Sequence, residues 1–190
     1  MIPMIREVLD PIASSFDYPS EVSAFAAREA AAALVDLDPA ASVAFGALAR
    51  WLQETDQTDA EEHYTVLFDL EPSCTLHVGY HVYGDAYQRG ALMAGLVGEL
   101  RRAQVDLGTE LPDFLPTVLR MLSRVADDED RQLFIDRVVC VGLSKMRKEL
   151  SAVKTPWAAA LKALADMFGA PAVVEHTLED LLRRETSTNA

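Results

Sequence analysis

The sequence predicts an all-α fold, a single-domain bundle of about seven or eight helices. Three observations predict it. Apolar residues recur at spacings of three and four along most of the chain, the period of a helix face. Alanine-rich stretches such as AFAAREAAAALV carry high intrinsic helix propensity. Helix-start signals punctuate the chain at short intervals, with no repeat, long linker or low-complexity block between them. A chain of 190 residues is long enough to bury one real core. Residues 1–184 therefore read as one helical domain, and residues 185–190 (ETSTNA) as a disordered tail.

Taken in order, a first helix is expected over residues 4–16, with Pro11 near its start or at a kink. Asp17-Tyr18-Pro19-Ser20 breaks the chain, and Ser20 is the N-cap of a helix running to about Val35. Asp38-Pro39 supplies a cap and a proline at the first helical position. That helix runs to about Glu54, with Val43, Leu48, Trp51 and Leu52 in its apolar stripe. Thr58 and Glu61 stand at capping-box spacing ahead of a helix through Leu67 and Phe68.

Residues 72–84 differ. Leu76, Val78, Tyr80 and Val82 alternate as in a strand, yet no ladder partner is evident elsewhere in the chain. The segment reads as an ordered loop with room for a helical turn. Asp85 and Gln88 then repeat the capping spacing before a helix over 86–103, which carries Leu92, Met93, Leu96 and Leu100 on one side. Leu111-Pro112-Asp113 starts the next helix, through Leu115, Leu119 and Leu122. Asp127 to Asp130 occupy another first turn, where the helix dipole favours negative charge. Lys145, Arg147 and Lys148 close that helix. Thr155-Pro156 caps a helix that ends near Gly169, and Thr177 starts a short final one.

Composition excludes several function classes. Thirty acidic residues against seventeen basic ones give a formal net charge of −13. Such a field repels phosphate backbones and argues against nucleic-acid binding; it keeps the protein soluble and favours a basic partner. No apolar run approaches the roughly 18 residues of a membrane span. The N-terminus lacks the pattern of a secretory signal. Two cysteines, Cys74 and Cys140, are too few for a disulfide framework and fit a reducing cytoplasm.

Catalytic motifs are missing: there is no nucleophile elbow and no phosphate-cradling glycine loop. Cys74, His77, His81 and Asp85 would share a face on a continuous helix, the spacing of a metal site. Pro72, Gly79 and Gly84 interrupt that helix. Cys140, within VVCVGL, reads as a small core residue. What stands out is a dense central block: Tyr64, Leu67, Phe68 and Asp69, then Leu76 and His81, then Val82-Tyr83-Gly84-Asp85, Arg89-Gly90 and Met93. Glu110-Leu111-Pro112-Asp113-Phe114-Leu115-Pro116 follows. Aromatic, methionine and histidine side chains beside acids suit a groove for a basic, amphipathic segment. Arg89 also has a structural reading, an ion pair with Asp85 one turn away, and Gly90 one as a close helix contact.

At these residues the sequence resembles the NarJ family, the delta-subunit chaperones of respiratory nitrate reductase and related molybdenum enzymes, themselves related to the TorD and DmsD maturation chaperones. YTVLFD at 64–69, Ser73 and Leu76, HVYGD at 81–85, RG at 89–90, Met93 and ELPDFLP at 110–116 follow the family's order and spacing over about residues 60–125. Tyr83 replaces the family's second histidine and Leu92 an alanine. Leu100-Arg101-Arg102 stands where a tyrosine is often found. These departures bear on the identity of the client rather than on the fold.

The resemblance implies a cytoplasmic chaperone, not an enzyme, with no permanently bound cofactor. It implies binding to the N-terminal segment of a molybdenum oxidoreductase catalytic subunit, during insertion of a molybdenum–bis(pterin guanine dinucleotide) cofactor. The client is nitrate reductase or a relative acting on selenate, chlorate, dimethylsulfide or hydrocarbons; the chaperone is a monomer or dimer without stable membrane insertion. Tyr64, Phe68, Asp69, His81, Tyr83, Asp85, Arg89 and Asp113 are the expected client-binding residues, with Asp85 and Asp113 meeting positive charge. Gly84, Gly90, Met93, Leu111, Pro112, Leu115 and Pro116 are the expected structural residues. Two rival readings stay open: a helical interaction adaptor, and a small metal-dependent hydrolase built on Cys74, His77 and His81.

Overall fold

The computed structural model describes residues 6–70, 74–126 and 129–172. A 3-10 turn, Arg6–Val8, leads into α1, Leu9–Ser15, with Pro11 in its first turn, where a missing N–H costs nothing. α2, Glu21–Ala33, starts at Ser20, whose hydroxyl accepts from the Ser23 amide while Ser23 answers with its own hydroxyl. α3, Pro39–Glu54, starts at Asp38, which accepts from the Ala41 amide. Both caps are the ones the sequence predicts. α4, Gln57–Phe68, is capped by Asp56 rather than by Thr58, because Asp56 reaches the free amide of Thr58 first.

The segment read as a loop forms a short helix, α5, Val78–Tyr83, closed by Gly84 at φ 58°. Its approach is extended and does find a partner: His77 bridges antiparallel to Phe114. The Leu115 amide donates to the Leu76 carbonyl at 2.8 Å, and the Val78 amide to the Asp113 carbonyl at 2.9 Å. The alternation of Leu76, Val78, Tyr80 and Val82 runs mostly through α5, so it does not mark the single-pair bridge. α6, Tyr87–Arg102, is preceded by Ala86 without a side-chain cap, so Asp85 is not its cap. α7 is Leu115–Arg124 with Phe114 at its N-cap. It begins later than expected, because residues 112–114 are spent on the bridge and a turn. α8 is one continuous helix, Glu129–Phe134 and Cys140–Glu149 joined through a π turn, Ile135–Val139. α9 is Pro156–Met167, followed by Gly169 at φ 69°. These are nine helices among the described residues, α5 being the addition to the expected set. The helix expected from Thr177 and the tail at 185–190 lie outside the described residues.

The helices pack as an all-α bundle. α3 lies on α2 and α9, α1 on α2 and α7, and α8 on α5 and α9. Trp157, fully buried, ties α9 to the front half of the chain. Its ring meets Trp51 at 5.0 Å, Tyr64 at 5.6 Å and Phe68 at 6.2 Å between centroids, and stacks on His63 at 5.7 Å. Edge-to-face arrangements of this kind add to the area the rings bury. Thr155 gives α9 no side-chain cap; its hydroxyl meets His63 Nε2 at 2.9 Å instead. Cys140 is core, as expected, with its thiol 3.5 Å from the Phe168 carbonyl. α5 is wedged between two close contacts. A Cβ on Gly142 of α8 would lie 3.1 Å from the Val78 Cβ, and one on Gly79 would lie 2.7 Å from Asp113 Oδ2. Gly90, by contrast, faces open space, so it is not the close helix contact the sequence suggests.

Candidate functional site: an acidic, aromatic pocket over a buried ion cluster

The bridge between residues 76–78 and 113–115 carries Asp113 into the interior, where its side chain has no exposure. Arg89, projecting from α6, donates through Nε to Asp113 Oδ2 at 2.8 Å and through Nη2 to Oδ1 at 3.3 Å. This two-pronged geometry is what a guanidinium and a carboxylate make best. The same guanidinium lies 5.4 Å from the Tyr80 ring centroid, so the cation is also held against an aromatic face. His77 Nδ1 sits 3.2 Å from Asp113 Oδ1, close enough to ion-pair when protonated but off the angle of a good hydrogen bond. Burial pushes the Asp113 carboxyl up. His77 and Arg89 beside it outweigh burial and hold the group below its ordinary value.

Asp113 is therefore not presented to a partner; its charge is committed inside. Arg89 pairs with it rather than with Asp85, which is exposed on the turn before α6. A carboxyl depressed in the fold contributes stability above its unfolded value of 3.8. That contribution is lost as pH falls through the lower folded value. Urea melts taken down through the acid range are expected to show this loss. Asp113→Asn should flatten that part of the profile; an unchanged acid limb would separate Asp113 from acid stability.

Beside this cluster lies a pocket of about 160 Å3 lined by residues from separate segments: Asp17, Tyr18, Tyr64, Phe68, Asp69, Thr75, Leu76, His77, Glu110 and Phe114. Its walls are aromatic. Tyr18 meets Tyr64 edge-on at 5.4 Å, Tyr64 meets Phe68 at 5.0 Å, and His77 tilts on Phe114 at 5.6 Å. Tyr64 is anchored by donating its hydroxyl to the Phe16 carbonyl at 2.9 Å. Burial first, and then the charges of Asp69, Asp17 and Glu110, push its phenol up, so the three carboxylates act together on one point. The Asp69 carboxyl is itself raised by burial, with His77 pulling the other way. Asp17 is paired with Arg120. Each acid is followed in sequence by an exposed apolar side chain: Tyr18 at 48 %, Leu70 at 67 % and Leu111 at 45 %. The pocket is thus lined by three acids, each next in sequence to exposed apolar surface.

The expected client-binding residues divide accordingly. Tyr64, Phe68 and Asp69 come together in the pocket. His81 is buried behind it, with Nε2 on the Thr75 carbonyl at 2.7 Å and its own carbonyl accepting from Lys145 at 2.6 Å. Burial lowers its imidazole pKa. Tyr83 is half-buried against the core, and Asp85 is exposed outside the pocket lining. Pro112, Leu115 and Pro116 are buried and Met93 half-buried, whereas Leu111 is exposed. Sequence reasoning placed Glu110 and Phe114 in the block suited to a groove without naming them as client-binding residues, and it missed Asp17, Tyr18 and His77 as pocket residues. The available signal was an acid followed by a large apolar residue outside a helix body, repeated at 17–18 and 69–70 just past α1 and α4 and at 110–111 in the turn before α7.

The hydrolase reading finds no support in this geometry. Burial pushes the Cys74 thiol up to about 12, the opposite of an activated nucleophile, and His81 is committed to a backbone carbonyl. Among the described residues no three His, Cys, Asp or Glu side chains converge as metal ligands. No described helix is long and apolar enough to cross a membrane.

Fold and site together define an all-α protein with a recessed acidic, aromatic surface supported by a buried ion cluster. The family model of the nitrate reductase delta subunit matches residues 35–163, well over half the chain, and the protein belongs to that family. It is similar to the nitrate reductase molybdenum cofactor assembly chaperone NarJ of Escherichia coli, 33 % identical over 102 residues, which are 53 % of this chain and 43 % of that protein. The probable chaperone NarW of Escherichia coli is 27 % identical over 164 residues, 86 % of this chain and 68 % of its own. The nitrate reductase-like protein NarX of Mycobacterium tuberculosis is 30 % identical over 138 residues, 72 % of this chain and 21 % of its own. The chain thus spans under half the length of the NarJ protein it matches.

Proposed function

We infer that this protein is a cytoplasmic assembly chaperone, not an enzyme. It binds the N-terminal segment of the catalytic subunit of a molybdenum oxidoreductase, nitrate reductase or a relative, and holds it open for cofactor insertion. It carries no permanent cofactor and leaves before the enzyme is complete. The observation that carries the reading is membership of the delta-subunit family across residues 35–163. The pocket supports it chemically: Asp69 and Glu110 attract a basic leader, Asp17 being paired with Arg120, and Tyr18, Tyr64 and Phe114 offer it aromatic surface. The net charge of −13 speeds encounter with such a segment.

Affinity capture from cells making a molybdenum oxidoreductase tests the proposal. The catalytic subunit should be retained and then released by an excess of its own N-terminal peptide; failure to retain it would overturn the reading. The pocket has its own test, titration of that peptide at low salt. Asp69→Asn with Glu110→Gln is expected to weaken binding about tenfold, from two exposed charges of up to about 1 kcal/mol each. Asp85→Asn, outside the pocket, is expected to leave affinity nearly unchanged. Equal losses from both variants would assign the effect to the general field of the protein.

A further inference from the structure

All four lysines of this acidic chain, Lys145, Lys148, Lys154 and Lys162, fall within residues 145–162. Three of them, with Arg147, line a groove of about 630 Å3 between the end of α8 and the start of α9. Its apolar surface comes from Leu150, Val153, Ala158 and Ala159, with Leu150 buried and Val153 39 % exposed. The carboxylate beside these cations is Asp166, which meets Arg147 Nη1 at 2.9 Å and Lys162 Nζ at 2.6 Å. No described carboxylate is paired with Lys148 or Lys154. Glu149, next in sequence to Lys148, is exposed and stands outside the groove lining. Among the described residues the groove therefore keeps a local excess of positive charge over an apolar floor, in a molecule of net charge −13.

We propose that this groove is a second docking site, for an acidic amphipathic segment of a partner protein. Charge fixes the sign of the occupant: a basic segment is repelled here and drawn to the acidic pocket. Shape favours a peptide over a lipid surface, because the lining forms a groove between two helix ends with Leu150 on its floor, whereas a bilayer surface is flat. Lys148 and Lys154 meet carboxylates along one face of the segment, and Leu150 and Val153 meet its apolar face. The two sites, of opposite charge, hold two different segments at once.

The test uses the full chain and a labelled amphipathic peptide of glutamate and leucine, followed by fluorescence anisotropy at low salt. Saturable binding is expected, weakened about tenfold or more by Lys148→Glu with Lys154→Glu and untouched by Asp69→Asn with Glu110→Gln. A lysine–leucine counterpart should not compete for the groove. Binding that ignores the lysine reversals would overturn the proposal. So would retention on phosphatidylserine vesicles without peptide binding, which assigns the lysines to a lipid surface. Self-association of the wild type that the double lysine variant abolishes would assign the groove to a second copy and overturn it as well. Circular dichroism of the lysine variant, both reversals being at exposed positions, separates lost binding from lost folding.

Discussion

Asp113→Ala is expected to destabilise the fold by about 3–5 kcal/mol, the cost of breaking a buried ion pair from one side. The loss does not measure the strength of the pair. It comes from what remains: Arg89, with a side chain 14 % exposed, keeps its charge without the carboxylate that satisfied it. A drop in melting temperature of about 10 °C follows for a chain of this length. Asp113→Asn keeps an acceptor for Arg89 and is expected to lose less. Replacing Arg89 and Asp113 together by apolar residues should recover part of the loss, since neither charge is then left alone. Urea unfolding of the single and paired variants checks the order. A loss within about 0.5 kcal/mol for Asp113→Ala, the range of an ordinary surface substitution, would show that the cluster does not hold the bridge.

The fold class was legible because helices announce themselves locally. Ser20 and Asp38-Pro39 mark starts that the structure uses, and the apolar spacing places α2, α3 and α6 within a few residues. The bridge at His77 and Phe114 was not legible in that way. It is a single residue pair whose two members lie far apart in sequence, and the alternation at 76–82 runs mostly through α5 instead. The same distance hid the pairing of Arg89 with Asp113, since a helix-spacing rule offers Asp85 first. For the site, the motif residues Tyr64, Phe68 and Asp69 meet in one pocket. The pocket around them is tertiary, assembled from the end of α1, the end of α4 and the turn before α7, and no local pattern joins these. Asp113 shows the limit of reading an acid as a surface charge: flanking prolines signalled rigidity, but burial and partners decided what the carboxylate does.

Gly79→Ala gives the second large effect, and its sign comes from two opposing contributions. Within a helix, alanine is favoured over glycine by about 1 kcal/mol, so propensity alone predicts a more stable protein. The added Cβ would lie 2.7 Å from Asp113 Oδ2 and 2.9 Å from Leu92 Cδ2. The end of Leu92 can move aside. Asp113 cannot move freely, because Arg89 holds its carboxylate and the Val78 amide holds its carbonyl. Overpacking of this kind costs about 1–3 kcal/mol, which exceeds the propensity gain, and a net loss is expected. The clash also makes the two sites interdependent. In an Asp113→Ala background the obstructing oxygen is gone, so Gly79→Ala should cost less there than in the wild type. A double-mutant cycle is expected to show a coupling of about 0.5–3 kcal/mol. Additive losses would mean that α5 shifts away from the cluster as a body, and that the wedge between Gly79 and Gly142 is not what sets its position.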